Sequence, residues 1–511
     1  MFADTRKHWL RDETGTRIKQ SSRRLALVYP SPYHVGMSSL GFQSLYRIVN
    51  DTMPDWSCER AFFPDDLDAF TRAREPLQTV EQGRPVSDFD AIGVSVAYEL
   101  EIFGLVKVLE LAGMRPLAKD RRPADPPVIL GGPLTFSNPL PAAPFADVVL
   151  LGECEELLPR VLAVFGSHKK RDALEVVATW PHVLVPQIQS QQIHGETLPA
   201  VAACENALLP AVSAIRTPHT ELSDMLLVEA ERGCHRNCTF CVMRRSTNGG
   251  MRLVTLERLL ALVDASGAKK VGLVGAAVSD HPKIVEILRA LVDDRGLRVG
   301  ISSLRADRLT DDFVRLLGKG GYKTLTVASD AASERLRLVL EKKIKEKHLV
   351  RAAELAKTHG LKTLKTYMML GVPGEDASDI DELARFTREL SQIMPVALGV
   401  APFVPKYNTP LADADFAGED EVDARVRQLR ASLKGRGELR ATSVKEAFVE
   451  AALAMSGYAA AEIVLASQSD GFGWKSFYRH IKRHGAPPRR RQHFVDPFPV
   501  GRRLLAKSIA A

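Results

Sequence analysis

The chain has 511 residues, with 69 Lys+Arg against 62 Asp+Glu, a formal net charge of +7 and 45% hydrophobic residues. That composition buries a core and excludes general disorder, and at ~150 residues per domain the length predicts about three domains. No run of 18 or more apolar residues occurs, and Met1-Phe2-Ala3-Asp4-Thr5-Arg6-Lys7-His8 lacks an apolar secretory stretch, so no membrane span and a cytoplasmic location are expected.

The charge is uneven. Residues 475–511 hold ten Lys/Arg and one acid, Asp496, while residues 1–24 hold seven basic and three acidic residues. The body between these ends is mildly acidic. Residues 1–23 read as a basic arm. From 24 to 30 an apolar run predicts a buried strand, followed by a turn over 31–36 and a helix over 37–49. Strands follow at 89–96, 128–130 and 148–151, with helices near 100–112 and 155–164. Short apolar strands alternating with helices predict a parallel, doubly wound (Rossmann or flavodoxin-like) sheet over 24–169. Its strands end in Gly, Pro and Ser turns, where such sheets bind ligands. Residues 170–222 read as an irregular, partly β connector.

A second β/α series begins at 223. Strands near 225–230, 270–275, 298–303, 323–329, 363–370 and 397–402 alternate with amphipathic helices, predicting a partial (β/α)6 barrel to residue 412. Residues 413–511 read as a helical region ending in a basic tail. Gly318-Lys319-Gly320-Gly321-Tyr322-Lys323-Thr324 superficially resembles a phosphate loop, but Tyr322 stands where Gly is required and the segment precedes a strand, so it reads as a helix end and turn.

The chemistry centres on Glu231-Arg232-Gly233-Cys234-His235-Arg236-Asn237-Cys238-Thr239-Phe240-Cys241. Cys-x3-Cys-x2-Cys just after a strand puts Cys234, Cys238 and Cys241 on one tight loop, able to hold three corners of a [4Fe-4S] cluster. One iron then stays open to chelate the amino and carboxylate groups of S-adenosylmethionine. A structural zinc site, with His235 or a distant residue as fourth ligand, and three buried thiols are the alternatives. Cys58, Cys154 and Cys204 are too irregularly spaced to argue for a second cluster.

This motif, with Phe240 before its third cysteine, resembles the radical SAM superfamily over about residues 222–410. The resemblance implies S-adenosylmethionine contacts at the strand ends. Gly275 lies in Val274-Gly275-Ala276-Ala277, where the family often has Gly-Gly-Glu; the Glu is absent, implying a backbone contact to the amino group. Ser302 and Arg305 end the next strand. Ser329 and Glu334 lie in a segment similar to the family's E-S-G-S-E-R-x-L, with Asp330 where Gly is usual. Gly371 lies in a segment similar to G-L-P-G-E. Gly and small residues there let backbone approach a flat base.

Placed before such a barrel, the first domain resembles that of the cobalamin-dependent subgroup. The carriers are Tyr33 and Gly36 in the first turn, Ser95 and Tyr98 after the second predicted strand, Gly131-Gly132-Pro133, and Gly152-Glu153-Cys154-Glu155-Glu156, similar to G-E-G-E-E. These imply cobalamin contacts. No Asp-x-His-x-x-Gly motif occurs, so the cobalt is not expected to take a motif histidine, and His34 reads as a polar turn residue. Any flavodoxin-like domain would show similar strands, and a vestigial fold or another nucleotide stays open.

The resemblance implies a radical enzyme that forms a 5′-deoxyadenosyl radical and transfers a methyl group from cobalamin to an unactivated carbon, supplied by an external flavodoxin- or ferredoxin-type electron donor. Other radical chemistry (cyclisation, rearrangement, sulfur insertion) is the nearest alternative. A nucleic-acid-binding protein using the basic tail, with Trp474, Phe477, Tyr478, Phe494 and Phe498 among its arginines, is the other. The substrate is not legible.

Overall fold

Strand β1 (Arg23–Tyr29) is apolar on both faces and buried from Leu25 to Tyr29, the signature of a strand inside a parallel sheet. It pairs in parallel with β2 (Trp56–Phe62) on one side and β3 (Ala91–Ser95) on the other. With β4 (Val128–Gly131), β5 (Val148–Leu150) and the antiparallel β6 (Val183–Leu184), the order is β2-β1-β3-β4-β5-β6. The five parallel strands have the flavodoxin-like order, with its reversal between β1 and β3. The computed structural model describes residues 2–189, 198–243, 250–490 and 507–508. Its residues fall into two units, Met1–Met225 with Ala452–Gln492, and Leu226–Ala451 with His493–Ala511.

Strand β2 lies outside the strands expected from sequence. Its charged Glu59 and Arg60 break the apolar pattern, yet every one of its residues is buried. The burial is possible because Arg60 is neutralised twice: Nη2 reaches Glu13 Oε2 at 2.7 Å and Nε reaches Glu81 Oε1 at 2.6 Å, all three side chains fully buried. Glu13 follows a helix, Phe2–Asp12, formed by the basic arm. The same helix stacks Trp9 on Tyr33, centroids 4.1 Å apart. The arm is thus part of the first core.

Two further helices of this unit, Ala460–Ser467 and Trp474–His484, come from the far end of the chain. Asn138 Nδ2 donates to the carbonyls of Ala454 and Ser456, 2.8 Å each. Phe477 is fully buried, 5.5 Å from Phe103. Arg489 bridges Ser456, and Arg490 is buried with its N–H on Met455 O at 2.8 Å. Arg491, Phe494, Phe498, Arg502 and Arg503 lie outside the described residues.

In the second unit, β7 (Leu226–Glu229), β10 (Lys270–Val274) and β11 (Arg298–Ile301) form one parallel sheet, and β12 (Thr324–Ala328), β13 (Thr363–Leu370), β14 (Val396–Pro402) and β15 (Glu438–Ala441) another. Between β7 and β10 comes the antiparallel hairpin of β8 (Glu231–Gly233) and β9 (Met251–Leu253). A Leu304–Val327 bridge joins the two parallel sheets, giving one run in sequence order. The six expected strands are present. A seventh, β15, occupies a stretch expected to be helical; its alternating Glu438-Leu439-Arg440-Ala441 is a polar edge strand beside β14. The phosphate-loop-like segment ends helix Asp311–Lys319 and leads into β12. No helix among the described residues is long and apolar enough to cross a membrane.

Candidate active site

Strand β7 stops at Glu229, and β8 turns aside to pair with β9, Gly233 opposite Met251. Gly233 has φ +92°, a conformation glycine adopts without strain, and it opens the cysteine loop. Within the loop, Cys241 N–H donates to Cys238 O at 3.3 Å, and Thr239 N–H ties the loop to Leu340 O at 3.1 Å. Cys238 is buried; Cys234 and Cys241 are half-buried, and all three are free thiols.

Burial pushes Cys234 up to about 12, and it raises Cys238 and Cys241 as well. Opposing it, Lys342 and Arg305 favour the thiolate of Cys238, and Lys342 that of Cys241. Buried thiols beside fixed cations suit a metal centre that replaces the protons and whose anionic shell the cations then balance. Lys342 is itself buried and ion-paired with Asp330, whose φ of +66° explains why Gly is usual there. Arg236, inside the loop, forks onto Asp280 with both bonds at 2.7 Å, and Arg308 adds a third at 2.8 Å.

A preformed zinc site would hold its donors within about 4 Å of one another. Among the described residues, the donor triplets that close within 4.8 Å are His8/Asp12/His219 and Glu153/Glu155/Cys204, not the three loop cysteines.

Around this loop, Gly275 and Ser302 come together at the ends of β10 and β11, Ser302 Oγ lying 3.5 Å from Gly275 O. Arg305 is buried and turned inward, its guanidinium on Asp307 at 3.0 Å and Lys342 O at 2.8 Å. Ser329 is buried with its N–H on Tyr367 O, and Phe240 is half-buried. Glu334 faces the next helix, accepting Glu346 N–H at 3.0 Å. Gly371, at φ +76°, packs near Ala417 and Val422, with its N–H on Glu375 Oε1 at 2.8 Å.

In the first unit, Ser95, Gly131 and Gly132 border a small apolar cavity within the core, together with Gly93, Cys154 and the larger Leu27, Leu45, Ile129 and Leu158. Tyr98 is 44% exposed nearby in sequence. Tyr33 is instead turned into the core, its hydroxyl donating to Glu13 Oε1 at 2.6 Å, and Gly36 is required by the Phe62 ring, which a Cβ would meet at 2.5 Å. Gly152 sits under the connector, where a Cβ would meet Ala202 N and O at 2.5 Å, and Glu153 accepts Cys204 N–H at 2.8 Å. Exposed His34 is 3.9 Å from Asp65.

Lys342, Arg236 and Glu231 carried no role in the sequence reading. Glu231, three positions before Cys234, is fully buried, and its Oε1 accepts Ala277 N–H at 2.6 Å. The available signal was an acid beside the cysteines in a chain whose Gly275-Ala276-Ala277 turn lacks one.

Residues 41–186 match the family model described as radical SAM proteins, N-terminal, and residues 228–387 match that of the radical SAM superfamily. The chain belongs to the radical SAM superfamily. An uncharacterized protein of Methanocaldococcus jannaschii is 28% identical over 431 residues, 81% of this radical SAM chain and 84% of that protein. Among solved structures, the radical S-adenosylmethionine methyltransferase TsrM from Kitasatospora setae, with cobalamin and a [4Fe-4S] cluster bound, is 15% identical, covers 76% of this chain and 74% of its own, and has a TM-score of 0.56. OxsB, a cobalamin-dependent S-adenosylmethionine radical enzyme with aqua-cobalamin and S-adenosylmethionine bound, is 14% identical, with 81% and 56% covered and a TM-score of 0.50. At these identities the two structures speak for a shared fold.

Proposed function

We propose that this radical SAM protein is a cobalamin-dependent enzyme that transfers a methyl group to an unactivated carbon. The observation that carries the reading is the pairing in one chain of a three-cysteine loop at the end of a parallel β/α run with a flavodoxin-order domain. The likeness to TsrM and OxsB supports it. When bound, the cluster supplies the electron that cleaves S-adenosylmethionine, and cobalamin supplies the methyl group. Cys234, Cys238 and Cys241 hold the cluster; Lys342, Arg305 and Arg236 balance its charge and fix the loop. Phe240, Gly275, Ser302, Arg305, Ser329, Glu334 and Gly371 shape the S-adenosylmethionine site, of which Arg305, Ser329 and Glu334 act by bracing its walls. Ser95, Tyr98, Gly131, Gly132, Gly152 and Glu153 shape the cobalamin site, whereas Tyr33 and Gly36 support it through packing. An external one-electron donor completes the system.

Anaerobically purified, reconstituted protein is expected to hold about four irons, retain added cobalamin through gel filtration, and form 5′-deoxyadenosine with label from methyl-labelled S-adenosylmethionine entering the product. Iron and nucleoside without cobalamin would replace methyl transfer by another radical chemistry. The nucleic-acid reading is weakened by Phe477, which the first core consumes.

A further inference from the structure

The arm helix, Phe2–Asp12, and the residues just after it are tied to the first unit by three contacts that need no histidine. Trp9 stacks on Tyr33, Glu13 pairs with Arg60, and Thr14 bridges Arg216 of the connector with both backbone bonds at 2.9 Å. These contacts hold the end of the helix against residues 216–219. At that junction stand three more side chains, His8 exposed, Asp12 and His219 half-buried. His8 and Asp12, four residues apart, share one helix face. His219 comes from the connector. His8 Nδ1 lies 3.6 Å and His219 Nε2 2.8 Å from the same oxygen, Asp12 Oδ2. The two rings lie 4.6 Å apart, centroid to centroid, and one donor atom of each residue falls within 4.8 Å of the other two.

These separations are those of a ligand set. Metal–ligand bonds of about 2.0–2.2 Å at tetrahedral angles put neighbouring donors about 3.4 Å apart, between the two values at Asp12. The donors also face a cation already. Arg11 Nη2 is 2.7 Å from His8 Nδ1, and Arg11 Nε is 2.8 Å from Asp12 Oδ1. A guanidinium only donates, so His8 Nδ1 is the ring nitrogen with a free lone pair. The Arg11 side chain is largely exposed and can swing into water. Two imidazoles and one carboxylate select a first-row divalent ion over calcium or magnesium, which take oxygen shells.

We infer that His8, Asp12 and His219 bind a first-row divalent ion of the zinc type, with water in the fourth position, and that the ion clamps the arm helix to the connector. It takes the place held by Arg11. The site shares no residue with the cysteine loop and goes beyond the proposed reaction.

The test is equilibrium dialysis of the full, cluster-loaded chain against buffered zinc at neutral pH, with zinc and iron counted separately by elemental analysis. Wild type is expected to take up one zinc per chain at unchanged iron. His8→Gln and His219→Gln are each expected to weaken that zinc by more than ~100-fold, beyond what an outer-shell partner costs a metal site. His34→Gln, at an exposed histidine outside the set, should keep it. Arg11→Gln is expected to tighten it roughly 2–5-fold by removing the competing cation, a gain that a plain ion-pair network does not give. Wild type without zinc overturns the inference, as does zinc that His219→Gln retains or that enters only as iron leaves. Should the histidine variants fail to fold, Arg11→Gln decides: unchanged or weaker zinc overturns it. The readout is the zinc difference between chains of equal iron content, so it stands or falls apart from the proposed function.

Discussion

The six cysteines divide evenly between the two units, and the two sets differ in what surrounds them. Cys58, Cys154 and Cys204 are buried. Burial raises Cys58 and Cys154, and carboxylates raise them further: Glu81 beside Cys58, Glu155 and Glu153 beside Cys154. These thiols serve as small apolar side chains. Cys234 and Cys241 keep some exposure, and Lys342, Arg305 and Arg236 oppose the effect of burial around Cys238. The same residue type becomes core where acids and packing close over it and ligand where cations and a glycine-opened loop leave it reachable.

The sharpest way to break that contrast is to exchange the sets. Cys234→Ala, Cys238→Ala or Cys241→Ala is expected to remove nearly all iron and lower S-adenosylmethionine cleavage by more than ~100-fold, beyond what outer-shell partners cost a metal site. Cys58→Ala is expected to leave iron content unchanged and cost about 1 kcal/mol in denaturant unfolding. An iron loss in Cys58→Ala would end the comparison.

Arg60→Met probes the first core from its charged side. It strands Glu13 and Glu81 without their cation and is expected to destabilise the first unit by roughly 3–5 kcal/mol, read by urea unfolding. Arg60→Met with Glu13→Gln and Glu81→Gln should recover most of the loss, because the buried charges go together.

The smallest effect sharpens the second unit. His281 is buried, its Nε2 on Val254 O at 3.1 Å and its Nδ1 accepting Lys283 N–H at 3.1 Å, so the neutral ring is held and burial lowers its pKa. The unfolded ring takes up a proton below about 6.5 while the folded one resists, so stability falls as pH drops through that value and levels off below the folded pKa. His281→Gln should flatten this slope between pH 6.5 and 5 in unfolding measurements.

How far the sequence reading reached follows from these contrasts. Strands with unbroken apolar runs, such as Leu25-Ala26-Leu27-Val28-Tyr29, and the cysteine spacing were legible because local pattern and final environment agree. Strand β2 was not, because its charged residues find partners outside the strand: Arg60 pairs with Glu13 far back in the chain and Glu81 beyond the next helix, and Glu59 accepts the Thr79 hydroxyl and faces Arg84. Residues 452–490 read as a trailing helical region because nothing local in Trp474-Lys475-Ser476-Phe477 announces that Phe477 fills a cavity beside Phe103. At the site, residue types were readable and directions were not. Tyr33 and Glu334 point into packing, while Glu231, passed over, points at the turn that lacked an acid.

The return of residues 452–490 to the first unit has a consequence for synthesis. The first unit is interrupted by residues 226–451, so at ~5–20 residues per second the ribosome reaches its last helices roughly 10–50 s after finishing the first 225 residues. Throughout that interval Asn138 lacks the carbonyls of Ala454 and Ser456, and Phe103 lacks Phe477. The nascent first unit must wait with an uncovered apolar face, whereas the inserted unit can close as soon as it emerges, so a chaperone that shields Phe103 has a definite window in which to act.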